Sequence, residues 1–141
     1  MDESKSSLGS NAIDADYEHW SARRLVHHLV HSEIVSAYRI LSTIGEKDQP
    51  SFAFYDGDRW SAEAVSGCAM EELGNVFTAI RTLTSRTLKQ VPDTAYLRPC
   101  RTTRERTLKD LVIDTVEHAG RHVQVLTSQV RSQRRRIPGQ K

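Results

Sequence analysis

Apolar residues recur at steps of three and four positions along three stretches of the chain, and this spacing is typical of one buried helix face. The first stretch follows Ser21, a suitable N-cap, and ends at the stop signal Gly45. The second covers residues 61–91 and ends before a proline. The third opens at Thr107, which pairs with Asp110 as a variant of the capping box. The pattern predicts an all-α protein with three long helices.

Two segments between these helices lack a helical rhythm. Residues 50–59 (PSFAFYDGDR) are aromatic and contain the turn signal Asp56-Gly57. A hairpin is one alternative for this segment, but no neighbouring segment offers a partner strand. We therefore interpret it as a packed connecting loop. Residues 93–106 form the second predicted loop.

Polar and charged residues dominate both ends of the chain. Residues 1–19 are rich in Ser, Asp, Gly and Asn, which predicts a disordered leader. Residues 20–132 then form the helical bundle domain, and residues 133–141 form a basic C-terminal tail. The ordinary interpretation of the tail arginines, Arg134, Arg135 and Arg136, is that water solvates them. The net charge of +2 and the pI of about 8.7 are too weak a bias to indicate a polyanionic partner, so nucleic acid is not favoured.

The composition fits one globular domain, because 141 residues can bury a single core and 38% of them are hydrophobic. The two cysteines, Cys68 and Cys100, have no close spacing, which excludes a disulfide framework and a zinc ribbon. Residues 1–11 lack the apolar core of a signal peptide. No apolar run approaches the roughly 20 residues of a membrane span. We therefore expect a cytoplasmic protein with no membrane partner.

The strongest chemical signal is the pair His118 and His122 in EHAGRHVQVL. Side chains four residues apart lie on one helix face, and this spacing lets two imidazoles reach the same ion. The pair also falls in register with the apolar positions of the third helix, so it should point towards the interior. A buried imidazole without a partner costs about 1–3 kcal/mol. A metal ion would satisfy both rings, and so would ordinary hydrogen bonds, so the pair alone leaves both alternatives open.

A third histidine comes from VHHLVHSE in the first helix. His28 borders the apolar stripe of that helix. His27 instead aligns with Arg23 and Tyr38 on a wetter face. Of these two adjacent histidines, His28 is therefore the preferred ligand. Three imidazoles from two helices leave coordination positions open, as in catalytic sites of zinc or a similar first-row metal. Glu33 has two interpretations, as a base beside the metal or as the partner of an arginine.

Three segments together resemble a known family. WSARRLVHHLVHSE, FYDGDRW and EHAGRHVQVL are similar, in this order, to the motifs of DinB-like four-helix proteins, and most similar to the YfiT-type branch of candidate metal-dependent hydrolases. The resemblance covers residues 20–132 and implies an up-down helical bundle. It implies that His28, His118 and His122 hold one divalent ion, which is Zn, Ni or Fe in relatives. Some relatives are S-transferases, which implies a low-molecular-weight thiol as a second cofactor.

The chain also departs from the family pattern. Relatives usually have a long helix before the Trp-Ser motif, whereas only residues 1–19 precede Trp20 here, so the bundle is expected to lack most of its first helix. A missing helix would expose an apolar groove, and a second protomer could cover it. We therefore expect a homodimer; the alternative is a truncated family member. Arg24 also stands where relatives commonly carry Glu or Gln.

These observations favour a metal-dependent enzyme that activates water or a thiol towards a small-molecule substrate, as a hydrolase or an S-transferase. The sequence does not separate these two reactions and assigns no catalytic residue. The alternative is a non-catalytic interaction module that the metal stabilises. Nucleophile-elbow, Walker and dinucleotide-binding motifs are absent from the sequence.

Overall fold

The computed structural model describes Tyr17 and residues 19–136, and most of these residues are helical. The four α-helices of this part of the chain are α1 (Ala22–Gly45), α2 (Gly57–Glu63), α3 (Met70–Gln90) and α4 (Leu108–Arg136). A 3₁₀ helix, Asp93–Leu97, and a two-stranded antiparallel sheet of β1 (Pro99–Arg101) and β2 (Glu105–Thr107) connect α3 to α4. The all-α prediction is therefore confirmed, with one short hairpin inside the predicted 93–106 loop.

Helix α1 is the central element, because α2, α3 and α4 all pack against it. It begins where predicted, since the Ser21 hydroxyl accepts a hydrogen bond from the backbone N–H of Arg24 (3.1 Å), and it ends at Gly45. The capping box of α4 is also present. Asp110 accepts from the backbone N–H of Thr107 (3.0 Å), and its own N–H donates to the Thr107 hydroxyl (3.3 Å).

The predicted second helix over residues 61–91 is wrong in its first third, because two helices occupy this range. Helix α2 begins earlier, after Asp56, whose carboxylate accepts a hydrogen bond from the backbone N–H of Arg59 (3.2 Å). Helix α3 begins only at Met70, where Glu72 accepts from the N–H of Ala69 (3.1 Å). The Asp-Gly pair that predicted a turn therefore starts a short helix.

The ends of the chain lie largely outside the described residues. The predicted disordered leader and the expected loss of the first helix concern residues of which only Tyr17 and His19 are described, so both stay predictions. Tyr17 itself is buried (6% exposed). Helix α4 continues past the expected domain boundary at 132 to Arg136, and residues 137–141 of the predicted tail are not described.

The main hydrophobic core joins the C-terminal half of α1 to the start of α4. Its buried members are Ile40, Ala95, Cys100, Leu108 and Leu111. Neither Cys100 nor Cys68 forms a disulfide. Burial raises the pKa of the Cys100 thiol, so it packs as a neutral side chain. No helix in the described part of the chain is long and apolar enough to cross a membrane.

Candidate metal centre

Three imidazoles meet at one point between α1 and α4. The Nε2 atoms of His28 and His122 are 3.1 Å apart, those of His118 and His122 are 2.9 Å apart, and those of His28 and His118 are 3.4 Å apart. The structure thus brings together the three histidines that the sequence singled out, as a group that can offer one nitrogen each to an ion.

Helix geometry explains this convergence. His118 and His122 are four residues apart on α4, so their rings lie on one face and approach each other. The end of α1 packs against the start of α4 through Ile40 and Leu111. The two helices therefore run antiparallel, which brings His28, near the start of α1, opposite the later turns of α4.

Burial keeps the three rings neutral. His28 and His122 are almost fully buried, and His118 is half-buried. The pKa of His122 is lowered to about 3 and that of His118 to about 4, in both cases chiefly by burial and then by neighbouring positive charge. Burial also lowers the pKa of His28. Neutral imidazoles are the form that binds metal ions, so no proton has to leave these rings at neutral pH.

The triangle of nitrogens has the dimensions that a metal ion requires. Ligands at about 2.0–2.1 Å from a tetrahedral zinc ion lie about 3.3–3.4 Å from one another. The three observed separations of 2.9, 3.1 and 3.4 Å are equal to or slightly shorter than this edge. Three nitrogen donors on a half-open site fit zinc, nickel or iron better than calcium or magnesium, which prefer oxygen. The donor set therefore fits one first-row divalent ion.

The second nitrogen of His28 is directed at the start of α2. Its Nδ1 lies 3.3 Å from the carbonyl oxygen of Gly57, and an N–H donated there leaves Nε2 free as a ligand. Gly57 also gives the ring space, because a Cβ at this position would lie 2.8 Å from Cε1 of His28. Glycine is therefore required here by a close approach between the backbone and a ligand ring.

Aromatic rings enclose the buried side of the histidine group. The Tyr17 ring packs edge-on against His122, with centroids 4.5 Å apart, and against Trp20 at the same distance. Trp20 packs edge-on against His28 at 5.6 Å. The Nδ1 atom of His122 is buried and has no hydrogen-bond partner in the part of the chain that the structure describes, so on this side aromatic packing holds the ring.

Asp58, on α2, supplies negative charge at the site. Its carboxylate accepts a hydrogen bond from the Tyr17 hydroxyl (2.6 Å). Its charge raises the pKa of His28 and His118 and so opposes the effect of burial. A field that favours a proton on these rings favours a metal cation in the same place. Sequence reasoning missed both Tyr17 and Asp58, although Asp58 lies within the motif FYDGDRW.

Arg24 has a structural role beside these residues. Its guanidinium carbon lies 3.4 Å from the centroid of the Trp20 ring, and its nitrogens donate to Ser61 (3.3 Å) and to the carbonyl oxygen of Asp58 (3.2 Å). The arginine that departs from the family pattern therefore ties α2 to α1, and its charge contributes to the lowered pKa of His28.

Comparison with known proteins agrees with this geometry. A family model of the DinB superfamily matches residues 11–126. The chain belongs to the DinB superfamily. The fold of this DinB-superfamily chain is similar to the solved structure of YfiT from Bacillus subtilis, described as a probable metal-dependent hydrolase with an unusual four-helix bundle topology. The TM-score is 0.72 at 21% identity, over 81% of this chain and 67% of YfiT. No curated protein matches the chain.

The neighbouring histidine of the DinB-superfamily chain, His27, is not part of the group. The expectation that it lies on a wetter face is wrong, because it is 1% exposed. The backbone N–H of Ser66 donates to its Nε2 (3.1 Å), so its proton is on Nδ1, which donates to the carbonyl oxygen of Arg23 (2.9 Å). His27 is therefore buried because the segment between α2 and α3 covers it.

Glu33 pairs with an arginine, which was one of its two interpretations. Arg81 of α3 donates to both carboxylate oxygens of Glu33, at 2.6 and 2.8 Å. Glu33 is almost fully buried, and the bidentate pair joins α1 to α3. Both carboxylate oxygens of Glu33 thus accept from Arg81, and within the described residues Glu33 makes no hydrogen bond to the three histidines.

An open cleft lies beside His118 in the DinB-superfamily chain. It has a volume of about 480 Å³ and runs between α1, α4 and the loop that precedes α2. Ser32 and Tyr55 line it near the histidines, with their oxygens 3.4 Å apart. Burial raises the pKa of Tyr55, so its hydroxyl keeps its proton at neutral pH and can donate a hydrogen bond. Of the three histidines, only His118 lines the cleft.

Proposed function

We propose that this protein is a metal-dependent enzyme in which His28, His118 and His122 hold one divalent first-row ion, and that it acts on a small molecule bound in the adjacent cleft. The observation that carries the proposal is the convergence of three neutral Nε2 atoms at the end of an open, partly polar cleft. A bound ion of this kind lowers the pKa of water or of a thiol and so supplies a nucleophile at neutral pH.

The residues of the chain have separate roles in this proposal. The neutral Tyr55 hydroxyl donates a hydrogen bond to the substrate and orients it towards the histidine group. The Asp58 carboxylate, whose charge raises the pKa of His28 and His118, stabilises positive charge at the group, and the proton that the nucleophile loses leaves to water through the open cleft. The aromatic rings of Tyr17 and Trp20 exclude water from the opposite side.

Two reactions fit this arrangement. Hydrolysis is supported by the likeness of the fold to YfiT, described as a probable metal-dependent hydrolase. Transfer of a low-molecular-weight thiol, which we favour slightly on the sequence resemblance, would need the same open coordination positions and would use the cleft for both the thiol and its acceptor. The ion, its identity and the thiol are all parts of the proposal.

Metal content tests the site directly. Protein incubated with Zn²⁺, Ni²⁺ or, without oxygen, Fe²⁺ is expected to retain about one ion per chain after desalting, by elemental analysis. His118→Ala is expected to lose this ion. His19→Ala, at an exposed histidine outside the group, is the matched control and is expected to keep it. No retained metal in the unaltered protein would refute the proposed site.

Activity assays then separate the reactions. The metal-loaded protein is assayed with activated esters for hydrolysis and with an aryl halide plus a cysteine-containing thiol for transfer. Turnover that is lost with a chelator and in His118→Ala supports an enzyme, and the active substrate identifies the reaction. A loaded protein with a raised unfolding temperature and no turnover would instead favour the non-catalytic, metal-stabilised module.

A further inference from the structure

The cleft that begins at His118 contains a half-buried positive charge at a distance from the histidines. Arg39 lines the cleft from α1. Its Nη2 donates a hydrogen bond to the carbonyl oxygen of Ala53 (2.9 Å). No carboxylate of the described residues lies within ion-pair distance of its guanidinium, which leaves most of its N–H donors available.

The position of Arg39 is related to that of His28 by the helix they share. Eleven residues separate them on α1, which is about three turns, so both lie on nearly the same face and about 16 Å apart along the axis. Ser32, Val35 and Ser36 line the cleft between them. The cleft is therefore a continuous path from the histidine group to this guanidinium.

The other charged groups of the cleft do not compensate Arg39. Arg106 donates a hydrogen bond to Asp114, so these two opposite charges neutralise each other. Glu117 and Arg121 are exposed and, like His118, come from the middle of α4. Arg39 is therefore the half-buried cation of the described cleft without an acidic partner; its guanidinium carbon lies 5.7 Å from the centroid of the Phe52 ring, and its remaining N–H donors are available to a ligand.

We propose that Arg39 forms an anion subsite that binds the carboxylate of an elongated small-molecule substrate whose reacting end lies at the three histidines. This inference rests on the proposed function, because it adds the chemical class of the ligand to the same cleft. The planar guanidinium suits a carboxylate, which it can bind through two parallel hydrogen bonds. The Tyr55 hydroxyl and the serines of α1 provide neutral donors and acceptors along the path.

Bifunctional probes test the subsite in the zinc-loaded protein. The first probe is a linear chain that carries a hydroxamate, a metal-binding group, at one end and a free carboxylate at the other. The matched probe carries a neutral primary amide in place of the carboxylate. We expect the carboxylate probe with the best chain length to bind about tenfold more tightly than its amide. This is the gain expected from one charge-assisted hydrogen-bonded pair between the carboxylate and Arg39 that is open to water on one side. Calorimetric titration measures both dissociation constants.

Variants assign the preference to Arg39. Arg39→Gln is expected to remove the tenfold preference and to leave amide-probe affinity and zinc content unchanged. Arg39→Lys keeps the charge, loses the bidentate geometry and is expected to retain part of the preference. Arg39→Lys also shows whether the loop that contains Ala53 is disturbed when only the hydrogen bond from Arg39 to the Ala53 carbonyl oxygen is lost. Arg59→Gln, at an exposed arginine that does not line the cleft, is the control and should behave as the unaltered protein.

The outcomes separate the two proposals. If the zinc-loaded protein binds both probes equally, or if Arg39→Gln keeps the preference, the anion subsite is wrong while the metal centre stands. If zinc is not retained, the proposed function itself fails. A phosphonate-ended probe that binds more tightly than the carboxylate would overturn the assignment to a carboxylate.

Discussion

At the scale of single residues, the geometry of the histidine group depends on a glycine that carries no chemistry. We expect Gly57→Ala to weaken metal binding about tenfold or more, because the new Cβ would lie 2.8 Å from His28 and 3.1 Å from Tyr55 and would displace the ligand ring. Competition with a chromogenic chelator measures the affinity. Gly67→Ala is the matched control, since its Cβ would meet no atom within 4 Å. Equal affinities for the two variants would contradict this role of Gly57.

The two adjacent histidines of α1 should respond differently to substitution. His28→Ala is expected to lose the metal ion. His27→Leu is expected to keep it and to lower the free energy of unfolding by about 1–2 kcal/mol, because the half-buried N–H and hydroxyl of Ser66 lose their partner. Urea unfolding and elemental analysis of both variants test this difference. Loss of metal in His27→Leu with the fold intact would show that the pair had been assigned in the wrong order.

At the scale of elements, the sequence predicted those features that depend on neighbouring residues. Ser21 and the Thr107–Asp110 box cap their helices through contacts within one turn, so their signals are local. The His118–His122 pair is local in the same sense. The face of α1 that borders the apolar stripe then indicated His28, and this assignment agrees with the observed convergence.

The features that the sequence did not predict depend on contacts between distant segments. The break between α2 and α3 accompanies a long-range bond, from Ser66 to His27 on α1, which the rhythm of apolar residues cannot reveal. Tyr17 lies in a polar stretch, and its burial depends on Trp20 and on His122, which is far away in sequence. The carbonyl oxygen of Gly57 and the charge of Asp58 also act on histidines that are distant in sequence, so the sequence did not indicate these interactions.

At the scale of the whole molecule, the helices of the described residues leave an apolar groove between α3 and α4. Helices α3 and α4 both pack on α1 and have little contact with each other. Ala37 and Ile40 line the space between them together with Leu88 and Val112. At its edge, Val116 is 57% exposed. Exposed apolar surface of this kind is typical of an interface, and we propose that a second copy of the chain covers it.

Sedimentation velocity tests the proposed homodimer. The unaltered protein is expected to sediment as a dimer, and Val116→Glu is expected to shift it to the monomer of 16.0 kDa, because burying an unpaired carboxylate in an apolar interface is unfavourable. Val65→Glu is the control, at a valine that is equally exposed (56%) but lies between α2 and α3, away from the groove. A monomeric unaltered protein at micromolar concentration would refute the dimer.

The histidine group should also make the stability of the whole metal-free molecule depend on pH. In the unfolded chain these imidazoles bind a proton near pH 6.5, whereas in the folded protein the pKa is about 4 for His118 and about 3 for His122. Between these values the unfolded state binds more protons than the folded state. We therefore expect the contribution of these two rings to the free energy of unfolding to decrease as the pH falls below 6.5, until the folded rings also titrate.

Urea unfolding of the metal-free protein at pH 7.5 and pH 5.5 measures this dependence. We expect a lower midpoint at pH 5.5, a smaller difference in His122→Asn, and an unchanged difference in the control His19→Ala, whose ring is exposed. Saturating Zn²⁺ should raise the midpoint at both pH values, and no less at pH 5.5, because folded rings with pKa values of about 4 and 3 carry no proton there that the ion must displace. A midpoint that does not change with pH would mean that these rings are not held neutral by burial, and that the metal-free site is open to water.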